Sequence, residues 1–174
     1  MKKSIFFAAL GLATVGISSF GQGFVAFSSY YANNGAGAIT TLFGSGNPIP
    51  AGYTADLYYA LGTVADPINY SSASSIISVP AGLTDLGFTA NYLSGPKAGY
   101  FDGGIATIPG YTGGPITFEV VAYNGSSYAS STWRARSGSF TMNSIAIGAS
   151  PAPALGNNGQ MMPTSSSRCR NPRY

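Results

Sequence analysis

No histidine occurs among the 174 residues, so the side chain that most often serves as general base and metal ligand near neutral pH is missing. Neither a Ser-His-Asp nor a Cys-His arrangement can be built without it. Cysteine is down to Cys169, and a single thiol cannot close an internal disulfide. Charged residues make up only 7% of the chain. The five acids, Asp56, Asp66, Asp85, Asp102 and Glu119, are scattered, and none pairs with another at short spacing. Asp102 beside Gly103-Gly104 lacks the alternating acids of a calcium loop and reads as a turn residue. Neither that glycine pair nor Gly113-Gly114 follows the strand-to-helix pattern of a phosphate loop. The expectation is therefore a protein that is not an enzyme and carries no metal or cofactor. A hydrolase using acids that meet only in space, with Glu119 or Asp102 among them, is a third reading.

The N-terminus is the strongest positive signal. Lys2 and Lys3 precede an uncharged, largely apolar run from Ile5 to Ile17, and small residues follow. That is the three-part pattern of a secretory signal peptide, recognised by the Sec export machinery. The run is too short to span a bilayer, which needs roughly 20 residues. Ser19 and Gly21 stand at −3 and −1 of a cut between Gly21 and Gln22. The processed chain is thus expected to be exported, extracellular or at the cell surface, with no stable membrane span.

Removing that segment redistributes the charge. The whole chain has 8 basic and 5 acidic residues, a net +3. Setting aside Lys2, Lys3 and the tail arginines Arg168, Arg170 and Arg173 leaves three basic residues, Lys97, Arg134 and Arg136, against the five acids, a net −2. Nucleic-acid binding needs a basic face to neutralise phosphates, and this body has none.

Past Gln22 no long stretch shows the 3.6-residue apolar period of an amphipathic helix, and short β-branched and aromatic runs alternate with Gly/Pro/Asn turns. Strands are expected at Gly23–Ser29, Ile39–Ser45, Tyr53–Gly62 and Pro115–Gly125, with weaker ones at 75–80, 86–92 and 103–110. In "PITFEVVAYNG", Ile116, Phe118, Val120 and Ala122 form one face, suited to a core, while Glu119 on the other face is expected to be wet. Asn124-Gly125 suggests a tight hairpin, with "SSYASSTW" returning and "SGSFTMNSIAIG" supplying one more strand. The fold class is all-β, a single-domain antiparallel β-sandwich over residues 22–147, with a barrel as the alternative. From Gly148 to Pro163 the Pro/Ala/Gly/Asn composition reads as a flexible linker, or as a last edge strand around Met161 and Met162.

Aromatics beside turns are the remaining candidates for function. Tyr30, Tyr31, Tyr100, Phe101, Tyr111 and Trp133 could meet sugar rings, with Trp133, Tyr111 and Tyr100 the foremost glycan contacts. The plainer alternative is that they fill half-buried positions of sheets, where tyrosine is favoured anyway. The body owes its solubility to Ser, Thr, Asn, Gly and Tyr rather than to charge, which suits a coat or matrix component. A secreted carbohydrate-binding module is the alternative role.

The order "FGQGFVAFSS", "YTADLYY", "AGYFDGGIATIPGYTGGPITFEVVAYN" and "ARSGSFTMN" resembles the exported PEP-CTERM proteins of Verrucomicrobia-like environmental bacteria. The resemblance runs from Gln22 to about Pro163 and is strongest across Gly99–Tyr123. It implies a β-rich body and a C-terminal Val-Pro-Glu-Pro-like sorting signal, followed by an apolar segment and arginines. It also implies a membrane exosortase that reads the signal and an association with extracellular polysaccharide. The signal is not present here. Instead residues 164–174 form an atypical basic tail. Arg168 to Tyr174 can be written CGG TGC CGG AAC CCG CGC TAT, which from the third base reads Val-Pro-Glu-Pro-Ala-Leu. The tail is read as an out-of-frame sorting signal, so exosortase is a partner only if the frame is restored. The alternative is a genuine short basic tail.

Overall fold

The computed structural model describes residues 21–33, 48–66 and 78–163. The leader up to residue 20, the strand expected at Ile39–Ser45, part of the weaker one at 75–80 and the tail 164–174 lie outside the described residues. Within them the chain is all-β apart from one three-residue 3-10 turn, Gly95–Lys97. The strands are β1 (Gln22–Ser28), β2 (Thr54–Leu61), β3 (Thr84–Asn91), β4 (Asp102–Pro109), β5 (Ile116–Tyr123), β6 (Arg134–Arg136), β7 (Phe140–Met142) and β8 (Ala146–Ile147).

They form two antiparallel sheets packed as a sandwich. One has three strands in the order β4-β1-β8; the other has the order β3-β2-β5-β6, with β7 also paired to β5. β2 and β5 pair without a slip from Thr54↔Tyr123 to Leu61↔Ile116. Between the sheets, Val25 and Phe27 of β1 and Ala106 and Ile108 of β4 meet Ala55 and Leu57 of β2 and Ile116, Phe118, Val120 and Ala122 of β5. The period-two alternation of those runs puts one apolar set on the inner face, and burying it supplies the main driving force.

The ladder on β5 changes partner midway. β6 covers Val121 to Tyr123 and β7 covers Ile116 to Phe118 on the same strand. Between them Ser137 donates its amide to the Val120 carbonyl, and its hydroxyl accepts from the Val120 amide at 3.0 Å. A side-chain oxygen thus keeps the buried backbone paired across the break.

Several expectations are corrected. Asn124-Gly125 is not a tight hairpin turn: neither residue takes the positive φ that a two-residue turn requires. "SSYASSTW" is a loop and not a return strand, because its serines bond locally. Ser131 donates to the Ser127 carbonyl at 2.6 Å and accepts from the Gly125 amide at 2.8 Å. The return begins only at Arg134. "SGSFTMNSIAIG" gives two strands in different sheets, β7 and β8.

Gly148–Pro163, expected as a flexible linker, packs on the body as a strap. Leu155 and Met162 are buried in the core. The Ala26 amide bonds Pro153 O, and the Asn33 amide bonds Leu155 O. Asn33, at φ 57, also clasps both backbone groups of Met162 with its side-chain amide. No described helix is long and apolar enough to cross a membrane.

Candidate functional site

Two features on this scaffold depart from ordinary sandwich packing. The first is a tyrosine cluster at one end. The end of β1 and the start of β4 are cross-tied: the Ser29 amide bonds Phe101 O, and Ser29 Oγ accepts from the Phe101 amide at 3.0 Å. Beneath the tie, Phe27 packs on Phe101 and Phe88 with centroids 4.7 and 5.9 Å apart, and Tyr92 meets Phe101 at 5.7 Å. Gly103 is required there, since a Cβ would sit 2.8 Å from the Phe27 ring. Above the tie the chain presents Tyr30 and Tyr31 from one side and Tyr100 from the other. Tyr30 stands edge-on to Tyr31 at 5.0 Å and to Tyr100 at 5.7 Å. Tyr30 is 41% and Tyr31 58% exposed.

The foremost aromatics of the sequence reading separate. Tyr100 joins this cluster. Tyr111 is buried, its hydroxyl donating to Gly114 O at 2.7 Å and accepting from the Ile145 amide at 2.9 Å, so it offers no ring face to a ligand. Phe101 is likewise core. Trp133 is half-buried and packs edge-on against Tyr53 at 4.8 Å, at the base of the Asn124–Trp133 loop. Gly21 leads directly into Gln22, the first residue of β1.

The second feature is the outer face of the larger sheet, which carries four of the five acids. Glu119 was expected to be wet and is instead fully buried. The reason is that this face is covered: Val121 and Tyr123 lie beneath Tyr128 of the long loop and Val79. Arg136 reaches Glu119 Oε2 and both oxygens of Asp66, each at 3.0 Å. Ser139 adds its hydroxyl to Glu119 and its amide to Asp66, each at 2.8 Å. Two carboxylates on one guanidinium leave an excess negative charge. Burial accordingly pushes Glu119 up to about 7, against the pull of Arg136.

On the same face, Asp56 of β2 is buried and meets Asp85 of β3. The β2–β3 register shifts between Asp56 and Tyr58, so that Asp85 stands opposite Tyr58. Gly87, at φ 68, lies in that irregular stretch, and its amide donates to Asp85 Oδ1 at 2.7 Å. Tyr123 and Tyr58 lie within electrostatic reach of Asp56 and Asp85. Burial first, then the charge of Asp85, lift Asp56 to about 6. Burial and the same carboxylate push Tyr58 up to about 12. Asp56 Oδ1 and Glu119 Oε1 have no hydrogen-bond partner among the described residues, as befits acids that favour a proton. Asp102 lies in the other sheet, exposed, its carboxylate turned to the Gly104 amide at 3.4 Å. Glu119 and Asp102 do not converge, and no described group of three or more His, Cys, Asp or Glu side chains is placed to hold a metal ion.

Fold and surface define an all-β sandwich with an exposed tyrosine cluster at one end and an acid-bearing outer face that is covered over β5. No family model, curated protein or solved structure matches this chain.

Proposed function

We propose that this chain is an exported, non-enzymatic protein of the cell surface or extracellular matrix, of the PEP-CTERM type, associated with exopolysaccharide. The observation that carries the polysaccharide contact is the tyrosine cluster: Tyr30 and Tyr31 are the exposed aromatic rings of the described residues, and they stand together. Flat rings with a polar tip suit sugar faces, and a rigid scaffold lowers the ordering cost of binding. The leader pattern supports export, and the near-neutral hydroxyl-rich surface supports a matrix role. The same cluster favours the second reading, a secreted carbohydrate-binding module; cell fractionation separates the two, since only the first keeps the protein at the cell.

The test of the shared contact is retention on insoluble polysaccharides. Wild type should co-sediment and Tyr31→Ala should be retained about tenfold less, because it loses one stacked ring and its buried area. Equal retention of both proteins would remove the cluster from the reading. The sorted-surface link has its own test: the nucleotide sequence past codon 160 should run, in a shifted frame, from Val-Pro-Glu-Pro into an apolar segment and arginines.

A further inference from the structure

The exposed aromatic rings and the one lysine of the described residues coincide. Lys97 Nζ lies 5.2 Å over the Tyr30 ring. We infer that the Tyr30, Tyr31, Tyr100 and Lys97 cluster selects an anionic polysaccharide, the rings stacking on sugar faces and the ammonium pairing with a carboxylate or sulfate. This rests on the polysaccharide contact proposed above and adds the charge of its ligand.

The other cations of the described residues are already engaged. Arg136 is buried between Asp66 and Glu119. Arg134 donates to the carbonyls of Tyr128 and Ala129, at 3.4 and 2.8 Å, and lies against the Tyr128 ring. Lys97 is exposed and makes no ion pair among the described residues. A cation over an exposed ring is held only loosely, so it stays available to an anion. The nearest acid in sequence, Asp102, is turned along β4 to the Gly104 amide.

The loop that carries Lys97 is also firmly built. Its backbone closes through Ala98 N to Gly95 O at 3.0 Å, Tyr100 N to Lys97 O at 3.2 Å and Leu93 N to Tyr100 O at 2.8 Å. Gly99 N reaches across to Ile49 O at 2.8 Å. The backbone that carries Lys97 and Tyr100 is therefore held beside Tyr30, which the Ser29–Phe101 tie holds from the other side, while the Lys97 side chain stays free to meet an anion. The arrangement is organised before any ligand arrives. In a body that carries a net −2 outside its two ends, a polyanion has little to gain elsewhere, so the contact is local.

Affinity electrophoresis of the purified chain tests this, using native gels cast with alginate, dextran sulfate, or the neutral polymers dextran and hydroxyethyl cellulose. Wild type should be retarded more in an acidic gel than in either neutral one; alginate against dextran sulfate tells carboxylate from sulfate. Lys97→Gln should lower the acidic retardation about two- to fivefold, the reach of one exposed ion pair, and leave the neutral gels unchanged. Tyr31→Ala should weaken retardation in every gel that shows it. Both side chains are exposed, and unchanged circular dichroism and melting confirm that each variant folds. Equal retardation in acidic and neutral gels, or acidic retardation that survives Lys97→Gln, overturns the inference and leaves the polysaccharide contact standing. Retardation in no gel removes both.

Discussion

Replacing Asp56 by asparagine should stabilise the protein at neutral pH. Asp56 is buried beside Asp85, with no cationic partner among the described residues, and its carboxyl is lifted from 3.8 to about 6. The folded chain therefore holds this proton more tightly than the unfolded chain. The associated stability is fully present below about pH 4 and is lost as pH rises through about 6. A shift of about two units corresponds to about 3 kcal/mol. Asparagine has the shape of the protonated acid and places no second negative charge beside Asp85. The expected outcome is equality with wild type near pH 4.5 and a gain of about 1–3 kcal/mol at pH 8. Urea unfolding at pH 4.5, 6 and 8 measures both, with the slope of the transition checked for constancy. Wild type should lose stability across that range, partly through Glu119 as well, and Asp56→Asn should lose less. If Asp56→Asn is no more stable than wild type at pH 8, or if wild type gains stability from pH 4.5 to 8, the reasoning is refuted.

Arg136→Met should cost about 3–5 kcal/mol at pH 7.5, because it leaves Asp66 and Glu119 facing each other without a cation. The cost should shrink at pH 4.5 as Glu119 takes up its proton, and a pH-independent loss in urea unfolding would contradict this. Asn33→Ala should cost about 2–3 kcal/mol, since it strands buried backbone groups of Met162 and puts alanine at positive φ. Limited proteolysis should then cut within residues 148–163, and a strap as resistant as in wild type would argue against the docking. In a secreting bacterial host, mass spectrometry of the exported protein should find Gln22 as its first residue, which leaves β1 whole; protein retained in the cell from Met1 would count against export.

How far the sequence could be read depended on what each pattern measures. Alternation in "ITFEVVAY" correctly assigned Ile116, Phe118, Val120 and Ala122 to the core face. It could not say what covers the other face, and so Glu119 was expected in water. The cover comes from Tyr128 and Val79, distant segments whose placement no local period encodes. The same blindness hid the meeting of Asp56 with Asp85, which depends on register and on an irregularity beside Gly87. Nothing periodic marks the strap in the sequence, because Leu155 and Met162 anchor it at isolated points. The tyrosine cluster is half legible: the sequence shows aromatics beside turns, but only the pairing of β1 with β4 brings Tyr30 to Tyr100. Tyr111 looked the same in sequence, and its hydroxyl contacts with Gly114 and Ile145 draw it into the core.

The tyrosine end of the sandwich is the surface proposed to contact polysaccharide. The most direct test of that contact is NMR of the chain with ring-labelled tyrosine, titrated with oligosaccharides of whichever polymer retains it. Shifts should be confined to Tyr30, Tyr31 and Tyr100, with the buried Tyr111 and Tyr123 unmoved. Shifts centred instead on Tyr53, beside Trp133, or binding without any movement of the three exposed-end rings, would contradict it.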